Sequence, residues 1–332
     1  MSDERILLAH GSGGQLMSEL IDRVFRARFG PHLSRDDSAL LSAGGAIAFT
    51  TDSFVVDPLF FPGGDIGRLA VCGTVNDLAT AGAIPIALSA SFILAEGLLL
   101  RDLERVADSM AAAAAEAGVE IVTGDTKTVP AGAADRMFIT TSGIGRVVRP
   151  VSGAGARPGD VVLINGSIGD HGIAVISQRE GLSFETSIES DCAPLAGLVL
   201  EALHAGGEGV HAMRDPTRGG LVSSLNEIAA QSGVAIELEE TSLPIRPPVA
   251  SACEMLGFDP LYVANEGKML FLVAAEAAES ILAAMRRSRY GAEAVTIGRV
   301  LDGPAGTVTL RTALGTHRFL DPLVGELMPR IC

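Results

Sequence analysis

The chain has no tryptophan and few aromatic residues, which make up 4% of its 332 residues. Stacking surfaces for unpaired bases are therefore not expected, because aromatic side chains build them. Basic residues are also few, 25 against 40 acidic ones, and the net charge is −15. Since nucleic acids and anionic membranes attract surfaces with a surplus of Lys and Arg, we expect neither as a partner.

Cysteine is scarce as well, and its four positions form no CxxC pair: Cys72, Cys192, Cys253 and Cys332. This spacing favours neither a zinc knuckle nor a disulfide framework. No apolar run approaches the ~18 residues of a membrane span, and the N-terminus has no signal-peptide pattern. We therefore expect a reduced, cytoplasmic protein in which the first three cysteines are buried and inert.

What the chain does have is a hydrophobic content of 48%, 39 glycines and alternating strand-like and helix-like segments. This pattern predicts a globular α/β (α+β) protein of about two domains. A linker is expected near Pro150–Pro158. The predicted parts are a domain at 1–150, a second at 151–322 and a mobile tail at 323–332.

Three glycine-rich loops precede predicted helices: His10–Gly14, Gly166–Gly172 and Asp215–Leu221. Backbone N–H groups at such a helix start can bind phosphate, and Arg218 adds a cation to the third loop. The first loop lacks the Lys-Ser/Thr of a P-loop and the third glycine of a dinucleotide fingerprint. A flexible turn explains it equally well.

Acidic residues recur beside predicted elements. Asp52 ends a strand at Ala46–Thr51, and Asp65 is predicted to cap the next helix. Asn76-Asp77 interrupts an apolar segment, either to hold a metal or as a pair on a helix surface. Asp125 and Lys127 are predicted to follow a strand at Val119–Thr123, where α/β sheets place ligands, although a surface ion pair fits too.

Two further segments allow a structural and a functional interpretation. Leu261–Ala264 and Met269–Ala274 resemble two strands, so that Glu266 and Lys268 would lie in a plain hairpin turn. The chain ends in Cys332, and chain ends are usually exposed. This thiol is either accidental or reactive. Pro329 stiffens the tail, and Arg330 favours the thiolate over a reference pKa of roughly 8.5.

Ten motifs together resemble those of HypE, a family of hydrogenase maturation proteins, across essentially the whole chain. They are His10–Gly14, Asp36–Ala39, Thr50–Val56, Phe61–Gly67, Gly73–Ala79, Gly124–Lys127, Gly169–Gly172, Asp215–Leu221, Asn265–Lys268 and Pro329–Cys332. The Thr-Thr-Asp and Asn-Asp elements are similar to those of a wider superfamily that includes aminoimidazole ribonucleotide synthetase, selenophosphate synthetase and thiamine-monophosphate kinase. The Pro-Arg-Ile-Cys ending is specific to HypE. Ala95-Glu96-Gly97 is a minor departure, since HypE often has two acidic residues there.

The resemblance implies a two-domain PurM-like fold in which N-terminal domains of a homodimer pair into a β-barrel. It also implies an ATP-dependent carbamoyl dehydratase. A carbamoyl group, delivered by the carbamoyltransferase HypF, is carried as a thiocarbamate on Cys332 and dehydrated to a thiocyanate. The cyanide then passes to iron on the HypC–HypD complex as a ligand of the [NiFe] centre.

The resemblance also assigns residues. Cys332 is implied as the carrier, Glu266 as the base and Lys127 as a helper in charge or proton transfer, which replaces the hairpin-turn interpretation of Glu266. ATP is expected to contact His10, Gly11, Gly13, Gly14, Asp37, Asp52, Asp77, Asp125 and Asp215. Mg²⁺ is expected on four of these, Asp37, Asp52, Asp77 and Asp215.

Two other functions fit the same motifs. One is a superfamily relative that acts on a small soluble amide or phosphate acceptor. The other is a nucleotide-binding maturation scaffold without turnover.

Overall fold

A computed structural model describes residues 14–20, 39–42, 45–182, 187–325 and 327–332. Among these residues no helix has both the length and the apolar character needed to cross a bilayer. Two β-sheets divide the chain, one in each half, and the helices pack against them. The expected α/β class and two-domain architecture are confirmed.

The first half contains a five-stranded sheet in the order β1-β2-β7-β5-β6. Its strands are β1 (Ala39–Ser42), β2 (Ala46–Phe54), β5 (Ala83–Ala95), β6 (Glu120–Val129) and β7 (Met137–Val147). The pairing is antiparallel except between β5 and β6, which helix α3 (Leu100–Ala117) connects. A two-residue ladder joins β3 (Phe60–Phe61) to β4 (Gly64–Asp65), and α1 spans Gly14–Leu20.

The second half contains a seven-stranded sheet in the order β14-β13-β10-β12-β8-β11-β9. These strands are β8 (Val161–Ile164), β9 (Val210–Arg214), β10 (Ala235–Glu239), β11 (Leu270–Val273), β12 (Val295–Leu301), β13 (Thr307–Arg311) and β14 (His317–Phe319). Its helices are α4 (Asp170–Glu180), α5 (Ala196–Gly206), α6 (Gly220–Ser232), α7 (Pro247–Leu256) and α8 (Ala278–Arg287).

Helix α2 (Ile66–Thr80) lies at the centre of the molecule. It packs on the first sheet, on α3 and on α5 of the second half, so 13 of its 15 residues are buried. Asn76 on this helix donates to the carbonyl of Ala193 at 3.0 Å and accepts from the N–H of Leu195 at 2.8 Å. The helix-surface interpretation of the Asn76-Asp77 pair is therefore wrong for Asn76, which is buried, and the metal interpretation stays a prediction for Asp77. Asn76 satisfies buried backbone groups and ties the two halves together.

Asp65 caps α2, as the sequence predicts. Its carboxylate accepts from the N–H groups of Gly67 at 2.8 Å and Arg68 at 3.0 Å. We expect Asp65→Ala to lower the free energy of unfolding by about 1 kcal/mol, because two N–H groups at the helix start lose their acceptor. Urea unfolding measures this. Asp108→Ala, at an exposed position in the middle of α3, is the control and should change stability by less than about 0.5 kcal/mol. Equal effects of the two variants would contradict the capping role.

Two sequence predictions of local structure are wrong. The Val119–Thr123 strand does not stop before Asp125, since β6 continues to Val129. The hairpin around Asn265–Lys268 is also absent, because only its second strand forms, as β11, and Pro260–Tyr262 is a 3₁₀ turn. β11 pairs with β8 and β9 instead.

Candidate active site

Strand β2 and helix α2 present two of the expected acidic residues from adjacent elements. Asp52 lies on β2, where its carboxylate accepts from the N–H of Ser53 at 2.8 Å. Asp77 lies near the end of α2 and accepts from the hydroxyl of Thr50 at 2.7 Å. Because Thr50 is on the same strand as Asp52, this hydrogen bond holds the helix carboxylate at the strand that carries the other one.

Glu266 lies in a bent, irregular segment, Asn265–Lys268, whose polar groups are bonded to neighbouring elements. Its own N–H donates to Asp191 at 3.0 Å. Asn265 accepts from the N–H of Gly169 at 2.8 Å, and Lys268 forms an ion pair with Asp191 at 2.9 Å. A Cβ at Gly267 would lie 1.8 Å from the carbonyl oxygen of Asp191, so only glycine allows this close approach. The segment is thus rigid enough to hold a buried carboxylate in place.

The loop between β9 and α6 carries Asp215 and Arg218. Asp215 is buried, and its backbone carbonyl accepts from Ser224 at 3.2 Å. The loop ends in Gly219 and Gly220 with φ of 76° and 61°, values that favour glycine. The glycine-rich loop predicted to open a helix is therefore confirmed, and it brings Asp215 and Arg218 beside the first half of the chain.

The C-terminal tail is docked against its own chain, which corrects the expectation of an exposed chain end. Met328 and Ile331 belong to the main hydrophobic core, where each is buried, and Cys332 packs against it. The carbonyl of Cys332 accepts from the N–H of Val55 at 3.0 Å. The other three cysteines are buried, as predicted.

Cys332, Glu266 and Arg218 interact electrostatically. Burial raises the pKa of the Cys332 thiol to about 12; Arg218 opposes this rise, and the carboxylates of Glu266 and Asp52 add to it. The pKa of Glu266 is raised well above its usual value, first by burial and then by nearby carboxylates, against the effect of Arg218. The pKa of Arg218 is raised, most of all by Cys332. Burial opposes this rise, and Asp52, Glu266 and Asp77 add to it. The site therefore has several carboxyl groups around one thiol and one guanidinium.

Lys127 and Asp125 lie elsewhere in the fold. Both are on β6, at the edge of the five-stranded sheet, and they form an ion pair at 2.9 Å with side chains that are 70% and 60% exposed. Lys127 is not among the charges that shift the pKa of Cys332. Lys127 and Asp125 therefore form a surface ion pair, as one of the two interpretations predicts. The roles of Lys127 in catalysis and of Asp125 in binding ATP stay predictions.

Four of the expected nucleotide contacts, His10, Gly11, Gly13 and Asp37, lie outside the described residues. Gly14 is described and begins α1. A Cβ at Gly14 would lie 2.2 Å from the carbonyl oxygen of Leu323, and the N–H of Gln15 donates to that oxygen at 3.3 Å. The end of the first glycine loop therefore contacts the start of the C-terminal tail.

The side chains available for a metal are Asp52, Asp77 and Asp215, whose hard carboxylate oxygens suit Mg²⁺. In the described part of the chain, no three His, Cys, Asp or Glu side chains already form a metal-holding group. Mg²⁺ is normally held by one or two carboxylates together with phosphate oxygens and water, so the donor set fits a nucleotide-bound metal better than a closed protein cage.

A polar cleft of about 710 Å³ lies beyond the Glu266 segment, lined by Lys268, Asp191 and Arg68 among others. Its cations are paired with carboxylates, as in Arg68–Glu116 at 2.9 Å. Gly166, Ser167 and Asp170 of the second glycine-rich loop line this cleft, but none of the described residues that the resemblance assigns to catalysis or to ATP does. We therefore place the candidate site at Cys332 and not here.

Sequence reasoning missed parts of this site. The sequence predicts Arg218 only as a cation that helps a glycine-rich loop to bind an anion. It does not predict that Arg218 interacts with Cys332 and Glu266. Arg179 and His171, which hold the tail, carry no local signal because they are separated from their partners by about 150 residues or more.

Known proteins are similar to this chain over most of its length. Family models for the N-terminal and C-terminal domains of AIR synthase related proteins match residues 35–147 and 157–311. The carbamoyl dehydratase HypE of Rhizobium leguminosarum bv. viciae is 52% identical, covering 100% of this chain and 96% of the relative. The crystal structure of a HypE-HypF complex matches with a TM-score of 0.87 and 50% identity over 92% of this chain and 99% of that one. A crystal structure of HypE in complex with ATP matches with a TM-score of 0.85 and 50% identity over 99% and 100%. With the two domains, the buried Asn-Glu-Gly-Lys segment and the terminal cysteine in place, the chain belongs to the HypE family of carbamoyl dehydratases.

Proposed function

We propose that this chain dehydrates a carbamoyl group that it carries on Cys332, with ATP as the phosphoryl donor. One observation carries the proposal: the terminal thiol lies in the same charged cluster as Glu266, Arg218 and Asp52. A solvent-directed accidental thiol would not share a site with a buried carboxyl group. The HypE structure solved in complex with ATP supports the choice of nucleotide.

The reaction balances as follows. The amide oxygen of the thiocarbamate attacks the γ-phosphorus of ATP, and ADP leaves. The carbon–oxygen bond then breaks with loss of inorganic phosphate, while the amide nitrogen gives up two protons and a carbon–nitrogen triple bond forms. Phosphorylation is needed because an amide oxygen is otherwise a poor leaving group. The product is a thiocyanate on Cys332.

Glu266 is proposed as the base for the amide nitrogen. Its raised pKa makes the ionised carboxylate a stronger base than an exposed glutamate. Arg218 limits that rise and offsets the negative charge of the cluster. Bound at Asp52, Asp77 and Asp215, Mg²⁺ would neutralise charge on the phosphates. Lys127 is kept as a proposed helper, and Asp125 as a proposed nucleotide contact.

Three partners are proposed. A HypF-type carbamoyltransferase supplies the carbamoyl group, in line with the relative crystallised in a HypE-HypF complex. A HypC–HypD complex accepts the cyanide at its iron. A second copy of this chain covers the five-stranded sheet. The exposed apolar side chains of that sheet support this pairing: Phe49, Ile86, Ile93, Val122 and Ile144 are 39–60% exposed.

Mass spectrometry of the intact protein tests the reaction. With carbamoyl phosphate, the carbamoyltransferase and a non-hydrolysable ATP analogue, the chain should gain the mass of one carbamoyl group. With ATP, the adduct should lose the mass of one water molecule, and peptide mapping should place it on Cys332. A carbamoyl adduct that keeps its full mass while ATP is present would favour the scaffold function instead.

A further inference from the structure

The backbone of the docked tail is bound at four consecutive carbonyl groups, from Pro329 to Cys332. Arg179 donates to the carbonyls of Pro329 and Arg330, each at 2.6 Å. His171 bonds the carbonyl of Ile331 at 2.8 Å through Nε2, and the N–H of Val55 donates to that of Cys332. Every peptide unit before the thiol is therefore held by the rest of the chain.

Both helical contacts come from α4. His171 lies in its first turn and Arg179 in its last, so the tail runs antiparallel to the helix and carries Cys332 towards the helix N-terminus. Because a carbonyl can only accept, Nε2 of His171 carries the hydrogen, and Nδ1 accepts from Ser190 at 2.8 Å. Burial lowers the pKa of His171, which favours this neutral form.

On the other side, the tail pairs with Val55–Asp57 in an incomplete antiparallel arrangement. The N–H groups of Val55 and Asp57 donate to the carbonyls of Cys332 and Arg330 at 3.0 and 3.2 Å. The carbonyls of Val55 and Asp57 accept from side chains instead, Arg330 Nε at 2.9 Å and Arg179 Nε at 2.7 Å. Arg330 has a φ of 52°, in the left-handed region that a non-glycine residue adopts only when its surroundings hold it there.

We propose that Arg179 is a positioning residue that fixes the register of the docked tail, and with it the depth of the Cys332 thiol in the site. Its guanidinium donates three hydrogen bonds at once, to the carbonyls of Asp57, Pro329 and Arg330. It therefore joins the tail to the segment after β2. The inference rests on the proposed function, since register matters only if Cys332 carries the substrate.

The contacts of Arg179 explain why register is the property that it controls. These three hydrogen bonds all go to backbone carbonyls, so they select a position along the chain. Cys332 is two residues beyond Arg330, and a slip by one residue would move the thiol by about 3.3 Å and reverse the direction of its side chain. The same contacts are available whether the thiol is free or loaded, because none of them involves sulfur.

The proposal predicts effects of opposite sign on two reactions of Cys332. Loss of Arg179 should slow dehydration, which needs the docked tail. It should speed alkylation by iodoacetamide, because release of the tail exposes a thiol that is otherwise packed against the hydrophobic core. A variant that is merely less stable would also slow dehydration. As long as it stays folded, however, alkylation of Cys332 would not become faster.

The test uses the full-length protein with Arg179→Met, which keeps much of the aliphatic length but removes every donor, and Arg179→Lys, which keeps the charge. Arg101→Met is the control, since Arg101 is 79% exposed on α3. We expect Arg179→Met to raise the alkylation rate of Cys332 about ten-fold and to lower single-turnover dehydration by at least about ten-fold. Arg179→Lys should be intermediate, and thermal unfolding should confirm that all variants are folded.

Several outcomes would overturn the proposal. They include unchanged alkylation in a folded Arg179→Met protein, and slower dehydration without faster alkylation. Failure of the proposed function gives a different result: the wild-type adduct would lose no water with ATP. The alkylation rates would still test whether Arg179 holds the tail, because iodoacetamide requires neither ATP nor the transferase.

Discussion

Cys332→Ala is expected to abolish the ATP-dependent mass change completely. The carbamoyl group needs a thiolate to form the thiocarbamate, and no other described cysteine can replace this one, since Cys72, Cys192 and Cys253 are buried. The measurement is the intact mass after incubation with carbamoyl phosphate, carbamoyltransferase and ATP, followed by peptide mapping.

Cys253→Ala is the matched control, because it also removes one thiol but in helix α7, away from the charged cluster. It should gain and dehydrate the label as the unchanged protein does. Labelling of the Cys332→Ala protein at any residue would contradict the carrier role. If the Cys332→Ala protein hydrolyses ATP with a small soluble amide, the alternative function is favoured, that of a superfamily enzyme whose substrate is not carried on the chain.

The docked position disfavours loading of the thiol with a carbamoyl group. Burial raises the pKa of Cys332 to about 12, whereas an exposed thiol has a pKa of roughly 8.5 and ionises far more readily at pH 8. We therefore expect the carbamoyl group to be accepted more readily when the tail is released than when it is docked.

Local signals in the sequence are enough for the fold class and for several element ends. Asp65 was predicted to cap α2, and it does, because capping needs only an acceptor next to the first free N–H groups. Gly118 ends α3 as its C-cap in a left-handed conformation, which glycine adopts readily. These features depend on neighbouring residues alone, so a single sequence contains the information for them.

The candidate site depends on contacts that no local pattern contains. Asn265–Lys268 has the spacing of a hairpin turn, but its partners are Asp191, Gly169 and Asn165, which are 75 to 102 residues away. The tail has the composition of an exposed end, yet α4 and the segment after β2 hold its backbone. The resemblance to a family located Glu266 and Cys332, whereas only the three-dimensional structure shows that Arg218 interacts with both and that Arg179 binds the tail.

Glu266→Gln is expected to reduce dehydration by about 10²–10⁴-fold and at the same time to stabilise the protein by about 0.5–2 kcal/mol. The amide cannot accept the proton from the carbamoyl nitrogen. It also removes a carboxyl group that burial and the charges of Asp52 and Asp215 make hard to ionise. Single-turnover dehydration and urea unfolding at pH 8 measure the two effects.

The pH dependence gives the gain in stability a definite sign. Because the pKa of Glu266 is higher in the folded protein than in the unfolded chain, its contribution to stability is complete below the unfolded value, roughly 4.3. That contribution declines as the pH rises through the folded pKa. The advantage of glutamine should therefore grow from pH 5 towards pH 8. Glu254→Gln, at an exposed position of α7, is the control and should change neither dehydration nor the free energy of unfolding measurably. A glutamine variant of Glu266 that dehydrates normally would eliminate this residue as the base, and one that is inactive but gains no stability would contradict the electrostatic explanation.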